Sequence, residues 1–354
     1  TGARMNGVDP SGEFGLFQTP CIGLSDLEPT ALINLYPFTK LTSLKVKDIV
    51  AQLRRGASPA DICDSVPDNI RSIPDGNKAV LLRDYDPGKA IESLSRQSPE
   101  SVIDEIKRSG LRGMGGAFFP AGLKWESCRK EPANPKYIVC NADEGEPGTF
   151  KDRVLMTSMP GLLLEGMVVA GYAVGSSEGI IYLRAEYAWL KEKLTHTIER
   201  YRKMNLLGKN ISGIDGFDFD IRVQLGAGAY VCGEETALLN SLEGKRGEPR
   251  NKRFFPTQRG YLQQPTVVNN VETFCAGARI MELGADYYLQ TGTSTSPGTK
   301  LISVSGDCRF PGIYEIEWGK TVRELLDECG ADQPHYIQVS GPSGECISMA
   351  EADR

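Results

Sequence analysis

Four stretches of the 354-residue chain gather residues that could do chemistry. The first, SGLRGMGGAFFPAGLKW at 109–125, sets Gly110, Gly113, Gly115, Gly116 and Gly122 around a single cation, Lys124. Glycines this dense let a backbone approach something flat or charged, and a neighbouring cation suits a phosphate or an electron-rich ring. A plain surface turn has the same composition. The loop is not the G-x-G-x-x-G fingerprint: Gly113-Met114-Gly115-Gly116 has the wrong spacing and follows a helix pattern, where the fingerprint follows a strand.

The second stretch, GAYVCGEET, tests for a nucleoside triphosphate. Gly228 and Gly233 stand in P-loop register, but Glu234 and Glu235 occupy the place of the phosphate-binding lysine. Two carboxylates there repel a triphosphate. They suit sugar hydroxyls and the rejection of an extra phosphate, or they favour the N-terminus of the next helix. The third, NADEGEPG, places Asn141, Asp143, Glu144 and Glu146 after a β-rich run. Such a loop can hold a divalent cation, be a solvated turn, or accept from the N–H edge of a heterocycle. No second ligand cluster accompanies it, so the metal reading is the weakest. The fourth, PTVVNNVET, pairs Asn269 with Asn270, which fits planar polar groups or ordinary turn chemistry. Nearby, Phe254 and Phe255 adjoin Lys252 and Arg253, as stacking aromatics or as core.

Other chemistries lack their parts. There are 2 histidines, His196 on a polar helix pattern and His335 in a turn, so a Ser-His-Asp or Cys-His nucleophile is not supplied. The 9 cysteines form no C-x-x-C pair and read as scattered thiols of a reducing compartment. A net charge of -6 gives no cationic footprint for nucleic acid. GLLLEGMVVAGYAVG at 161–175 is too short to span a membrane and carries Glu165; it reads as a buried core helix. The N-terminus has no apolar signal core, and a cytoplasmic protein is expected.

These residues need positioning elements, and an α/β core supplies them. Ser98 and Pro99 open a helix ending near Gly110. KYIVC at 136–140, GIIYLR at 179–184 and the alternating FDFDIRVQL read as strands separated by helix patterns. Strands alternating with helices argue for a mostly parallel sheet, and ligands sit beyond the carboxyl ends of such strands. Past a linker at 291–299, strand, turn and strand precede a helix with Thr321 and Glu324 in capping-box register. A small second α+β domain is expected here, with the chain expected to stop at Arg354 before that domain is complete.

The glycine loop, KYIVCNADEGEPGTFKDR, GAGAYVCGEETALLNSLEGKRGEPR and QPTVVNNVETF together resemble the flavin-bearing, NADH-oxidising 51 kDa family of respiratory complex I. That family includes the diaphorase subunits of soluble NAD-reducing hydrogenases and of NAD-dependent formate dehydrogenases. The resemblance covers about residues 98–354. It implies an α/β, Rossmann-like FMN- and NAD-binding domain with a mostly parallel sheet at 98–290, and a β-grasp-like (ubiquitin-like) domain at 298–354. TPCIGLSDLEP resembles the end of a thioredoxin-like domain, giving a tail at 1–45 and a connecting segment at 46–97. With SVSGDCRFPGIYEIEWG and SGPSGECIS, it favours the hydrogenase diaphorase branch over formate dehydrogenase or complex I.

The resemblance implies that FMN is embraced by Gly113, Gly115, Gly116 and Lys124. It implies that Asn141, Asp143 and Glu144 hold the ring and ribityl regions, and that Tyr230, Gly233, Glu234, Asn269 and Asn270 complete the pocket. Ala117, Phe119, Glu146, Glu235, Lys252 and Phe255 would line the NAD(H) site, with Glu235 rejecting a 2′-phosphate. No side chain need act as acid or base, because the cofactors carry the chemistry. Electrons would pass to iron–sulfur subunits of a hetero-oligomeric redox complex. Full-length members carry a [4Fe-4S] cluster on a C-x-x-C-x-x-C run that this sequence lacks, and where a [2Fe-2S] motif would place a second cysteine after Cys21 stands Ser25. Either the ends of a longer protein lie outside this sequence or the chain has no electron exit of its own. The loop also departs from the family's Gly-Arg-Gly-Gly-Ala-Gly-Phe-Pro-Thr-Gly: Met114 replaces a cation, Phe118 a glycine, and Ala121 a threonine. A nucleotide-binding assembly module without turnover is the competing reading.

Overall fold

A computed structural model describes residues 1–74, 78–251, 253–332 and 334–353. Its centre is a four-stranded, all-parallel sheet made of β1 (Tyr137–Ala142), β2 (Glu178–Leu183), β3 (Asp220–Leu225) and β4 (Thr266–Asn270). The spatial order is β3-β2-β1-β4. Cys140 pairs with Ile181 on one side and Asn269 on the other. The fold is therefore α/β.

The near-continuous apolar runs of β1 and β2 follow from burial on both faces. Successive side chains alternate between them. Ile138, Cys140, Ala142, Ile181 and Leu183 point into the main core with helices Pro160–Val174 and Val271–Leu283. Val139, Ile180, Tyr182 and Val268 point the other way, onto Leu238, Leu239 and Leu242 of helix Glu235–Leu242. The two main-core helices touch at Gly166, where a Cβ would lie 2.0 Å from the Phe274 carbonyl oxygen, so only glycine fits. Glu165, the residue before it in this apolar helix, accepts from Gly88 N (2.8 Å), Ala90 N (3.3 Å) and the Tyr201 hydroxyl (3.0 Å). The carboxylate in the apolar run thus fastens the preceding segment. Among the described residues no single helix is long and apolar enough to cross a membrane.

The chain leaves β1 toward β2 and β3 on one side, then returns to β4 on the other. That reversal makes the carboxyl ends of β1 and β4 a topological switch point, where the ligand crevice of an open parallel sheet is expected.

A second sheet joins β5 (Thr299–Val304) and β6 (Gly312–Glu317) antiparallel, and the short strand Ile70–Ser72 adds to β6 in parallel. Helix Val322–Cys329 carries the expected capping box, with Gly330 left-handed at its end. Glu315 on β6 is buried and accepts from the backbone N–H groups of Val80, Leu81 and Leu82, each at 2.8 Å, and from the Thr299 hydroxyl at 2.6 Å. One carboxylate thus fixes residues 80–82 against the second sheet. Glu315→Gln substitutes a donor for one acceptor oxygen and leaves a buried N–H unmatched. A loss of about 2 kcal/mol in denaturant unfolding is expected.

Candidate functional site

The carboxyl edge of the parallel sheet gathers the motif residues. β1 runs into Asp143 and Glu144, β2 into Arg184 and Glu186, β3 into the Gly226–Tyr230 turn, and β4 ends on Asn269 and Asn270. The glycine loop comes over this edge from the side of β4: a Cβ on Gly115 would stand 3.2 Å from the Cβ of Asn270.

The loop is pinned at its base and exposed at its tip. Gly113 N donates to Phe119 O and Ala121 N to Leu111 O, both at 2.9 Å, and Met114 N donates to Thr273 Oγ1 at 2.9 Å. The Met114 side chain is buried in the main core, so the residue standing for the family's cation serves as a loop anchor. Gly116 has φ +110°, and nothing approaches its Cβ position within 4 Å, which leaves an open cradle only glycine supplies without strain. Ala117, Phe118 and Phe119 are exposed at the tip. Lys124, one turn into helix Ala121–Lys130, reaches across to Val268 O at 3.0 Å and Glu235 Oε2 at 3.3 Å. It joins the loop, β4 and the Glu235–Leu242 helix.

Asp143 is the least satisfied polar group in the crevice. It is 9% exposed, and its Oδ2 has no hydrogen-bond partner among the described residues. Burial raises its pKa to about 7, against the pull of the Arg184 guanidinium and with a push from Glu186. Arg184 is held by Glu186 Oε2 at 3.0 Å and by the Cys21 carbonyl at 2.7 Å. Asn141 donates to Gly233 O at 2.8 Å and accepts from Asp143 N at 3.1 Å, so one amide fixes both the acidic loop and the Gly228–Gly233 turn.

Several side chains turn inward instead. Glu144 accepts from Asp152 N (2.8 Å), Arg153 N (3.1 Å) and the Tyr187 hydroxyl (2.9 Å), which caps helix Lys151–Ser158. Burial, then the Asp152 carboxylate, raises the Glu144 pKa to about 7, while those backbone donors oppose the rise. Glu234 caps its own helix by accepting from Thr236 N and Ala237 N, both at 2.9 Å. The helix-capping alternative thus holds for Glu234, while Glu235 faces Lys124. The Asn269 amide, oriented to satisfy both ends, accepts from the Trp125 indole at 3.1 Å and donates to Val268 O at 2.9 Å. Asn270 donates to Asp152 Oδ2 (2.6 Å) and accepts from Lys151 Nζ (3.1 Å) and Glu272 N (3.0 Å). The two asparagines point to opposite faces, as neighbours on a strand must.

Toward the outer rim, the Tyr230 hydroxyl donates to Glu146 Oε2, and Ser343 Oγ donates to Glu146 Oε1 at 3.3 Å. Phe255 is 67% exposed, and Arg259 lies over the Phe254 ring at 4.0 Å. Lys252 lies outside the described residues. Among the described residues no group of His, Cys, Asp and Glu is arranged to hold a metal.

Sequence reasoning passed over Arg184, Glu186 and the ionic group Lys151, Asp152, Glu272 and Lys300. Arg184 directly follows β2, so the rule that ligands gather at strand ends could have found it. The ionic group joins positions up to 149 residues apart and left no local signal.

Comparison with known proteins is consistent with this geometry. Residues 106–278 match the Nuo51 FMN-binding domain. The chain is 52% identical over 362 residues to the NAD-reducing hydrogenase HoxS subunit alpha of Cupriavidus necator, covering 99% of this chain and 60% of that one. It is 41% identical over 304 residues to the F subunit of NADH-quinone oxidoreductase of Streptomyces coelicolor, covering 85% of this chain and 67% of that one. A crystal structure of NAD+-reducing [NiFe]-hydrogenase in the H2-reduced state superposes with TM-score 0.92 at 36% identity, over 99% of this chain and 60% of that one. The chain thus spans about 60% of the length of the hydrogenase relatives it matches. By sequence and by fold, the chain belongs to the complex I 51 kDa family, whose mark is the Nuo51 FMN-binding domain.

Proposed function

We propose that this chain is the NAD(H)- and FMN-binding part of a diaphorase, most akin to that of a soluble NAD-reducing hydrogenase, which delivers electrons to iron–sulfur partner subunits. The observation that carries this reading is what gathers at one carboxyl edge of a parallel sheet: an open glycine cradle beside Asn270 of β4, and after β1 a buried Asp143 oxygen without a partner among the described residues. These residues fit the group. Gly116 gives room for a planar ring, and Asp143 offers an acceptor to a ring N–H or a ribityl hydroxyl. FMN, when bound, supplies hydride exchange with NAD(H) and hands electrons on singly.

The chain's own work is binding and orientation. Asn141 holds the Asp143 loop and the Gly233 carbonyl in register. Glu144, Asn269 and Asn270 fix the backbone from behind, through the helix cap, Trp125 and the Lys151–Asp152 pair. Lys124 joins the glycine loop to β4 and the Glu235–Leu242 helix, while Tyr230, Gly233 and Glu234 shape the turn that follows β3. Glu146, Glu235, Ala117, Phe119 and Phe255 lie outward, where a dinucleotide would enter. The NAD(H) assignment of Lys252 rests on the family motif alone.

Glu235 is the specificity acid of this reading. Its carboxylate, paired with Lys124, stands where a 2′-phosphate meets repulsion. Glu235→Gln is expected to narrow the NADH-over-NADPH ratio of kcat/KM by roughly ten-fold, or about 1.4 kcal/mol. An unchanged ratio would place the discrimination elsewhere.

The same reading assigns 298–354 to a β-grasp-like domain, 98–290 to the cofactor domain, 46–97 to a connecting segment and 1–45 to the tail of a thioredoxin-like domain. The nine cysteines, all free, support a cytoplasmic setting. The function is tested by titrating the chain with FMN and following flavin fluorescence. Saturable quenching at one FMN per chain is expected, and unquenched FMN refutes the site.

A further inference from the structure

The glycine loop carries one feature that cofactor binding does not by itself explain. Phe118 has φ +53°, a backbone conformation suited to glycine and costly for an aromatic residue. Strain of this kind persists only where the surroundings hold it. The holding contact is Trp318, just after β6: the two rings meet edge to face with centroids 5.9 Å apart. Trp318 is itself half-buried and packs on the main core, so it is a fixed brace. Phe118 nevertheless stays 42% exposed. The loop base is anchored through Gly113 and Met114, so the tip with Phe118 projects as a unit. A second, independent contact runs the same way: Ser343, also from the C-terminal part of the chain, bonds Glu146 at the outer rim.

We infer that Phe118 is a further binding residue for the dinucleotide, its exposed ring forming an apolar edge for a planar base. Trp318 acts as its positioning residue, so the second sheet sets the geometry of the nucleotide entrance. This inference rests on the FMN and NAD(H) reading above. The strained backbone is the cost of presenting a ring where the family's glycine presents none.

The test uses the full chain reconstituted with FMN and measures NADH oxidation by an artificial acceptor. The variants are Phe118→Gly, Trp318→Leu, both together, and Trp318→Phe. Loss of one aromatic contact is expected to raise KM for NADH about five-fold in Phe118→Gly. Trp318→Leu should raise KM by a similar factor with kcat within about two-fold of the parent, which is how a purely positional effect reads. The double variant should be no worse than Phe118→Gly alone, because the brace has nothing left to hold. Trp318→Phe should restore KM to near the parent value, which separates loss of the ring contact from misfolding. An active parent whose Phe118→Gly and Trp318→Leu effects add independently, or whose KM falls or does not move in Phe118→Gly, overturns this inference alone. A parent that shows no FMN-dependent NADH oxidation overturns both it and the function it rests on.

Discussion

Asp143→Asn is expected to weaken FMN binding roughly 10- to 100-fold and, at the same time, to make the protein more stable above pH 7. Both effects come from one buried oxygen. A charge-assisted hydrogen bond contributes about 1.5–3 kcal/mol, and the asparagine cannot offer the carboxylate. The stability effect follows from linkage. Burial moves the Asp143 carboxyl from 3.8 to about 7, so the folded protein keeps this proton where the unfolded chain has lost it. The native state then binds more protons between those values, and stability falls as pH rises through that window. Above pH 7 the full cost, on the order of 4 kcal/mol, is present. Asparagine has no proton to lose. The melting temperatures of variant and parent should therefore lie close at pH 4 and separate, in the variant's favour, toward pH 8. A variant that binds FMN as the parent does would remove Asp143 from the site. Parallel pH profiles would show that its carboxyl is not desolvated.

Asp26→Ala should cost about 3–5 kcal/mol of stability. Arg153 and Asp26 are fully buried at their side chains and pair through two hydrogen bonds of 3.0 Å. Arg153 also donates to Gly23 O at 2.8 Å and lies over the Phe150 ring at 4.9 Å. Removing the carboxylate strands a guanidinium in the interior, which is far more costly than losing an exposed pair. The pair ties the segment around Gly23–Asp26 to the helix that Glu144 caps. The same variant should therefore loosen the Asp143 loop and weaken FMN binding as a secondary effect. Urea unfolding of parent and variant reads the first effect directly. A midpoint shift near zero would mean that water reaches this pair.

The elements that formed as read are those with local causes. The Ser98–Pro99 start gives helix Pro99–Arg108, with Ser98 Oγ accepting from Ser101 N at 3.2 Å. The apolar runs near 137 and 179 became adjacent parallel strands because only a sheet covered on both faces buries them, and the alternating run at 220–225 pairs beside them as the half-exposed edge strand. The four motifs did converge on one edge, as strand-end geometry requires. Side-chain direction at the site was less legible. Asn269 and Asn270 are neighbours in sequence, yet one faces Trp125 and the other Lys151 and Asp152. Glu144 and Asp143 are adjacent acids, yet one caps a helix and the other keeps a buried oxygen without a partner among the described residues. Residue type and spacing do not reveal which of two neighbours has a partner waiting behind it. Long-range pairing was silent for the same reason. Nothing near Ile70 announces a strand partner at Ile313, and nothing near Phe118 announces Trp318.

The central claim is that the glycine cradle and the Asp143 edge form one FMN site that NADH can reach. Its most direct test is an anaerobic titration of the FMN-reconstituted chain with NADH, followed by the visible flavin absorbance. The account predicts that the flavin stays with the protein through desalting and is bleached by about one equivalent of NADH, the ratio that two-electron hydride transfer requires. Retained FMN whose absorbance is indifferent to excess NADH would contradict it, and would favour a nucleotide-binding assembly module without turnover.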